Sequence, residues 1–210
     1  MTHKFIASTS LDQLVDHVKR CDICEAHLPF GPRPVVQLSS NASLLIIGQA
    51  PGRRVHETGI PWNDPSGDRL RMWLGLSREQ FYDATNLAIM PMGFCYPGTG
   101  KTGDLPPRKE CAEQWHESLL SRLNNVKLTL LIGQYAQRYY LARSDFNNVT
   151  QYKKNQSLTD TVRMWDSYLP NDLLPLPHPS PRNQLWLKKN AWFEHDVLPV
   201  LKERVQTICS

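Results

Sequence analysis

The sequence predicts an α/β fold, a three-layer α/β/α sandwich around a central, mainly parallel four-stranded sheet. Three observations predict it. Strand and helix patterns alternate from one end of the chain to the other, as they do when strands are joined through crossover helices. Four short runs, Ala42 to Ile47, Leu87 to Met90, Val126 to Ile132 and Leu173 to Leu176, are almost wholly apolar, as expected of strands buried on both faces. Two polar loops stiffened by Gly and Pro directly follow two of these runs. Gly48-Gln49-Ala50-Pro51-Gly52 follows the first, and His178-Pro179-Ser180-Pro181-Arg182-Asn183 follows the last. Ligands of open α/β sheets bind outside the carboxyl ends of the strands, so the two loops can converge on one pocket.

The elements between the strands follow from local signals. Ser10 caps a helix from Leu11 to Arg20, with Leu11, Leu14, Val15 and Val18 on one face. Cys21 to Pro34 reads as a Pro-rich loop. Ser66 caps a helix through Leu74, and Gly75 closes it. Pro91 to Pro107 is too long for a plain connection, and such loops in compact domains are usually functional or disordered. Pro107 or Arg108 opens a helix that runs to about Leu123, and Gly133 ends the third strand before a helix from Gln134 to Leu141. Asp145 to Gln156 is polar. Thr159, with Val162 three residues on, starts a helix that ends before Pro170. Gln184 to Val205 carries one or two helices, with Pro199 near a start or a kink.

Composition sets bounds. The 210 residues suit one domain spanning 1–210, and the 40% apolar content is enough for a sizeable core. A net charge of +4 permits a nucleic-acid partner without demanding one. No apolar run is long enough for a membrane span. Met1-Thr2-His3-Lys4-Phe5 lacks the apolar core of a signal peptide, so a cytoplasmic location is expected. Disulfides are rare there, and the five cysteines need another explanation. Cys21 and Cys24 follow a helix, whereas a thioredoxin-like redox pair lies between a strand and a helix. Cys95 and Cys111 bracket the long loop, and Cys209 falls outside the pattern. Four thiolates from two regions fit a zinc site or an iron–sulfur cluster, while four separately buried thiols are the bland alternative. Spacing does not choose among the three.

At these residues the chain resembles the uracil-DNA glycosylase superfamily, in particular its iron–sulfur family 4 and 5 branches. Gly48-Gln49-Ala50-Pro51-Gly52 is similar to the Gly-Glu-Ala-Pro-Gly loop of that branch. Gly59-Ile60-Pro61-Trp62 falls where the family has Gly-Arg-Pro-Phe, whose ring stacks on the flipped base. Asp68-Arg69-Leu70 continues into the next helix. His178-Pro179-Ser180 is similar to the His-Pro-Ser motif that contacts the base and the minor groove. Cys21, Cys24, Cys95 and Cys111 match the cluster ligands, including the fifteen residues between the last two. The resemblance runs from Cys21 to Asn183. It implies a uracil-DNA glycosylase-like fold, a [4Fe-4S] cluster on the four cysteines, and DNA with a deaminated or damaged base as partner, uracil first among the bases. A monomer is the expected state for a protein that scans DNA. Three departures stand out. Gln49 replaces the family Glu. Val55 and His56 replace an acidic pair, with Glu57 one position further along. The nearest counterpart of the Asn that reads the uracil edge is Asn86, near the start of the second strand, with Met92-Gly93-Phe94 at that strand's exit.

Roles follow from the chemistry that the resemblance implies. Extruding a base costs unstacking energy, which stacking and wedging offset. Trp62 is the expected platform, held by Pro61, with Ala50, Pro51, Gly52 and Asn86 also at the base. Pro181 and Arg182 are the expected wedge, and Arg53, Ser180 and Asn183 join them on the DNA. His178 is placed to donate to a base oxygen as negative charge grows, a contribution of roughly 3–4 kcal/mol for a preorganised donor. Glu57 is the first choice to anchor the attacking water, ahead of Asp64 and Asp68, while Gln49 can hold a water but cannot take its proton. Arg53-Arg54, Lys101 to Lys109, Arg182 with Lys188-Lys189, and more distantly Lys153-Lys154 form basic clusters for the phosphates. Ser66, Ser180 and the amides of Gly98 and Gly100 are further phosphate donors. A DNA-repair glycosylase is the leading expectation. A DNA-binding damage sensor without catalysis comes second, and a zinc-stabilised hydrolase of free nucleotides third.

Overall fold

A computed structural model describes residues 9–143, 152–153 and 155–209. Its strands are β1 (Leu44–Ile47), β2 (Leu87–Ile89), β3 (Thr99–Gly100), β4 (Gly103–Asp104), β5 (Leu128–Ile132) and β6 (Leu173–Leu176). Four of them form one parallel sheet in the order β2-β1-β5-β6, with Leu44 opposite both Leu87 and Leu128, and Thr129 opposite Leu173. Every residue of these four strands is buried, which is why their sequences are apolar rather than alternating. β6 lies at an edge, so Pro175 withholds no hydrogen bond that an interior strand would need.

Alternate strand residues enter two separate cores. Leu45, Ile47, Ala88 and Leu131 face one layer, packed by α1 (Leu11–Lys19) and by Leu119 and Tyr140 from helices described below. Leu44, Ile46, Leu130 and Leu174 face the other layer. That layer contains α3 (Pro65–Leu74), α4 (Arg78–Tyr82), α7 (Leu158–Arg163), α9 (Gln184–Lys189) and α10 (Leu198–Ile208). The remaining helices are α2 (Arg53–Thr58), α5 (Glu117–Leu120) after a wide turn over Ala112–His116, α6 (Gln134–Tyr140) and α8 (Trp165–Tyr168). The three-layer sandwich expected from the sequence is the observed architecture. Among the described residues no helix is long and apolar enough to cross a membrane.

Several local expectations hold and several shift. Ser10 caps α1 through a capping box with Gln13, Gly75 closes α3 in the left-handed conformation, and Pro199 lies in the first turn of α10. The cap of α3 is Asp64 rather than Ser66, because Pro65 takes the first helical position, where its missing N–H costs nothing. α7 starts at Leu158 under a Ser157 cap, one residue before the expected start at Thr159. The stretch from Pro91 to Pro107 is only half a loop: Pro91 to Gly98 is buried throughout, and the short antiparallel hairpin of β3 and β4 follows. Met1-Phe5 and most of Asp145 to Gln156, including Lys154, lie outside the described residues.

Candidate active site

All four sheet strands point the same way, so the loops that leave them meet at one end. There a cleft of about 500 Å³ opens. The first loop supplies Gly48 to Gly52, the segment after α2 supplies Trp62, Asp64 and Ser66, and the last loop supplies His178 and Ser180 to Asn183. Val35, Ile89 and Pro91 add apolar surface, and Thr102 to Leu105 of the hairpin close one side. The first loop is pinned as an extension of the sheet. Met92 N–H donates to the Gly48 carbonyl at 2.9 Å, and Gly93 N–H donates to that of Gln49 at 3.0 Å. The Gln49 amide makes no side-chain hydrogen bond among the described residues and faces the cleft free.

His178 is held from several sides. The Ser180 N–H donates to its Nδ1 at 3.2 Å, and the Asn183 amide donates to its carbonyl at 2.8 Å. Arg69 reaches over from α3 to donate to the Ser180 carbonyl at 3.0 Å and to Gln184 Oε1 at 3.0 Å. Burial pushes the His178 pKa below the ordinary value, and the negative charge of Asp64 opposes that shift. The ring is therefore neutral at pH 7, and a Nδ1 that accepts leaves the proton on Nε2.

Trp62 stands beside it, with ring centroids 5.5 Å apart and planes inclined at 33°. The indole lies so close to the first loop that a Cβ on Gly48 would stand 2.9 Å from it. Two carboxylates line the cleft, Asp64 and Asp104. Asp64 Oδ1 accepts from the Gly67 N–H at 2.8 Å, in its role as the helix cap. The second oxygens of both carboxylates approach Gly52, at 3.9 Å for Asp64 and 3.7 Å for Asp104 from where a Cβ would stand.

Three expected site residues lie elsewhere. Glu57 is exposed on α2, where its carboxylate pairs with Arg53 at 3.0 Å one helical turn away, and neither side chain lines the cleft. Arg53 also packs over the Phe30 ring, 5.4 Å from its centroid, on the outer wall. Asn86 precedes β2 rather than following it. In a parallel sheet that places it at the amino end, away from the cleft, where its amide donates to Asp83 Oδ2 at 3.0 Å. Arg182 does reach the cleft, but its guanidinium crosses to the hairpin, where a Cβ on Gly103 would collide with it. Ser66 is buried in the cleft wall, and the Gly98 carbonyl accepts the Leu105 N–H at 2.8 Å. Sequence patterns do not single out Asp104, Arg69 or the buried Arg71 as site residues. Among the acidic residues at the cleft only Asp64 carries a signal in sequence, the Asp-Pro step that starts a helix.

The cysteines form a second assembly behind the first loop. Cys21, Cys24, Cys95 and Cys111 line one small pocket together with Leu28, Pro34, Phe94 and Arg108. Cys24, Cys95 and Cys111 are buried, and Cys21 is half-buried. N–H groups point at three of the sulfurs: Phe94 N–H at Cys111 Sγ (3.4 Å), Arg33 N–H at Cys95, and the Arg108 guanidinium at Cys24. Burial pushes the Cys95 thiol up to about 11 and the Cys111 thiol up to about 12. Among the described residues no group of three or more His, Cys, Asp and Glu side chains could hold a metal ion. Cys209 packs beside the second core, away from this pocket.

Comparison with known families matches the chain to the model described as Uracil DNA glycosylase superfamily, over residues 35–202. The matched span contains both cleft loops, Trp62, Cys95 and Cys111, and begins after Cys21 and Cys24.

Proposed function

The chain belongs to the uracil DNA glycosylase superfamily, and from that premise we propose that it hydrolyses the N-glycosidic bond of a deaminated or damaged base flipped out of DNA. The observation that carries this reading is the meeting of Gln49, Trp62, Asp64 and His178 in one cleft. Cleavage builds negative charge on the leaving base and positive charge on the sugar. A neutral His178 protonated at Nε2 donates to a base oxygen, and the bond strengthens as charge moves onto that oxygen. Trp62 supplies the stacking face. Asp64 takes the place expected of Glu57. It is near enough to His178 for its charge to be felt there, and one of its oxygens remains for a water or for the cationic sugar. Gln49 orients that water or the base edge through its unpaired amide. Arg182 at the cleft, with the exposed Arg53, Arg54, Lys101 and Lys188 close in sequence to cleft-lining residues, supplies salt-dependent attraction for phosphates.

We further propose that the cysteine pocket holds a [4Fe-4S] cluster. One zinc ion needs its sulfurs about 2.3 Å from a common centre. In a cluster each cysteine binds its own iron, and the gathering of all four thiols around one small pocket supports this reading. The N–H groups aimed at the sulfurs favour thiolates. When bound, the cluster supplies iron–thiolate bonds that tie the Cys21–Cys24 turn to the segment from Cys95 to Cys111. The chain just before Cys95 holds Gly93, whose N–H fastens Gln49.

A second reading, a damage sensor that binds without excising, is favoured by one observation: the residue at position 49 is an amide rather than a carboxylate. Excision assays on single- and double-stranded DNA carrying uracil, hypoxanthine, xanthine or a hydroxymethylated pyrimidine separate the two. Cleavage that depends on His178 establishes the glycosylase and names its base. Tight binding with no cleavage across the panel would establish the sensor instead.

A further inference from the structure

Trp62 has a backbone φ of 54°, one of two non-glycine residues with positive φ among the described residues. This region is unfavourable for a bulky side chain, and such a conformation persists only where the surroundings over-determine it. Here they do. Arg71, only 8% exposed, donates from Nη1 to the Trp62 carbonyl at 3.3 Å and to the Tyr82 hydroxyl at 3.4 Å. The Tyr82 hydroxyl in turn donates to the Pro61 carbonyl at 2.9 Å, so two successive carbonyls are pinned by one linked pair of side chains. The second nitrogen of Arg71 pairs with Asp68, and the rings of Phe81 and Tyr82 lie 5.4 and 5.8 Å from the guanidinium carbon. Gly67 completes the turn, since a Cβ there would collide with the Trp62 carbonyl oxygen. Neither Arg71 nor Tyr82 lines the cleft.

Building on the glycosylase reading, we propose that Arg71 and Tyr82 are positioning residues for base recognition. They form a buried guanidinium–phenol clamp that holds Pro61-Trp62 in a left-handed turn, so that the indole already stands against His178 before DNA arrives. Without the clamp the backbone relaxes toward ordinary φ values, and the ring leaves the wall formed with Gly48. The flipped base then meets a mobile surface, and the ordering cost moves into the binding and chemical steps.

The test uses the full chain labelled with 5-fluorotryptophan and read by fluorine NMR, with the Trp62 resonance assigned by its absence in Trp62→Phe. Arg71→Met and Tyr82→Phe should shift and broaden that resonance while leaving the buried Trp73 in place, and Arg71→Lys should restore it in part. Asp68 is largely exposed, so Arg71→Met strands no buried charge. On a duplex with one deoxyuridine, Tyr82→Phe should lower kcat by about five-fold, as loss of one hydrogen bond does. It should lower kcat no further in a Trp62→Ala background. An unmoved Trp62 resonance in folded Arg71→Met and Tyr82→Phe would overturn the proposal, as would equal losses of kcat in both backgrounds. Failure of the wild type to cleave any lesion would count against the glycosylase reading alone, because the NMR result does not depend on turnover.

Discussion

The backbone N–H of Ser180 points at Nδ1 of His178 from 3.2 Å and so decides which ring nitrogen carries the proton. The proton stays on Nε2, the nitrogen left to donate. Burial also lowers the His178 pKa, so the ring takes up its second proton at a lower pH than an exposed histidine does. We expect kcat/KM to have its acid limb centred below about 6.5, the ordinary histidine value. His178→Ala should lower it by about 10²–10³-fold. Profiles of wild type and variant against pH check both, and an acid limb centred at or above that ordinary value would contradict the assignment.

Trp62→Ala should remove the stacking face without unfolding the domain, since the ring is partly exposed and packs at the cleft wall. Base–aromatic stacking contributes about 1–3 kcal/mol, so binding of a lesion duplex should weaken by roughly ten- to a hundred-fold with an unchanged circular dichroism spectrum. Undamaged duplex should bind as before, because its attraction is to the phosphates.

Asp64→Asn keeps the helix cap and removes the charge. It should reduce excision by at least about ten-fold, the lower end of what general acid–base or electrostatic groups contribute. Glu57→Gln should stay within about two-fold of wild type, because an exposed i,i+4 pair with Arg53 is worth only about 0.3–0.5 kcal/mol. Side-by-side rates of the two variants decide which carboxylate belongs to the site.

Protein purified without oxygen should be brown and contain iron, and Cys95→Ser should lose the colour. Metal analysis of both proteins tests this directly. A colourless wild type with one zinc per chain would sink the cluster.

His116 reports on the fold from within. Its Nε2 lies 3.2 Å from the Pro91 carbonyl, its Nδ1 meets the Tyr140 hydroxyl, and burial pushes its pKa down to about 4, with the charge of Arg143 acting in the same direction. The unfolded chain, with a pKa near 6.5, binds the proton more readily. Stability should therefore be complete above about pH 6.5 and fall by about 1.4 kcal/mol per pH unit between there and about 4. Urea midpoints at neutral and mildly acidic pH should differ in the wild type and differ less in His116→Gln.

Much of this site is legible in the order of residues alone. The four strands are apolar because both faces are covered, and a parallel sheet sends the loops after β1 and β6 to the same end, so Gln49 and His178 have to meet. The cysteine pattern likewise anticipates Cys21, Cys24, Cys95 and Cys111 around one pocket. Asp64 is signalled by the proline behind it. Glu57 is the natural choice in sequence, yet nearness to a motif says nothing about direction: the turn of α2 carries it to the outer face, toward Arg53. Asn86 differs by only a few residues from a position at the cleft, but the two ends of a strand open onto opposite sides of the molecule.

By itself, then, the sequence determined the sandwich, its strand set, and the gathering of the two cleft loops and of the cysteines, because hydrophobic periodicity and turn chemistry are local records of burial. Only the tertiary structure decided which carboxylates face the cleft, that Arg182 spans it, and that Arg71 and Tyr82 hold Trp62 in a left-handed turn. Those outcomes depend on contacts between segments whose separation no local pattern encodes, and on where a side chain at the end of an element comes to rest once its neighbours are packed.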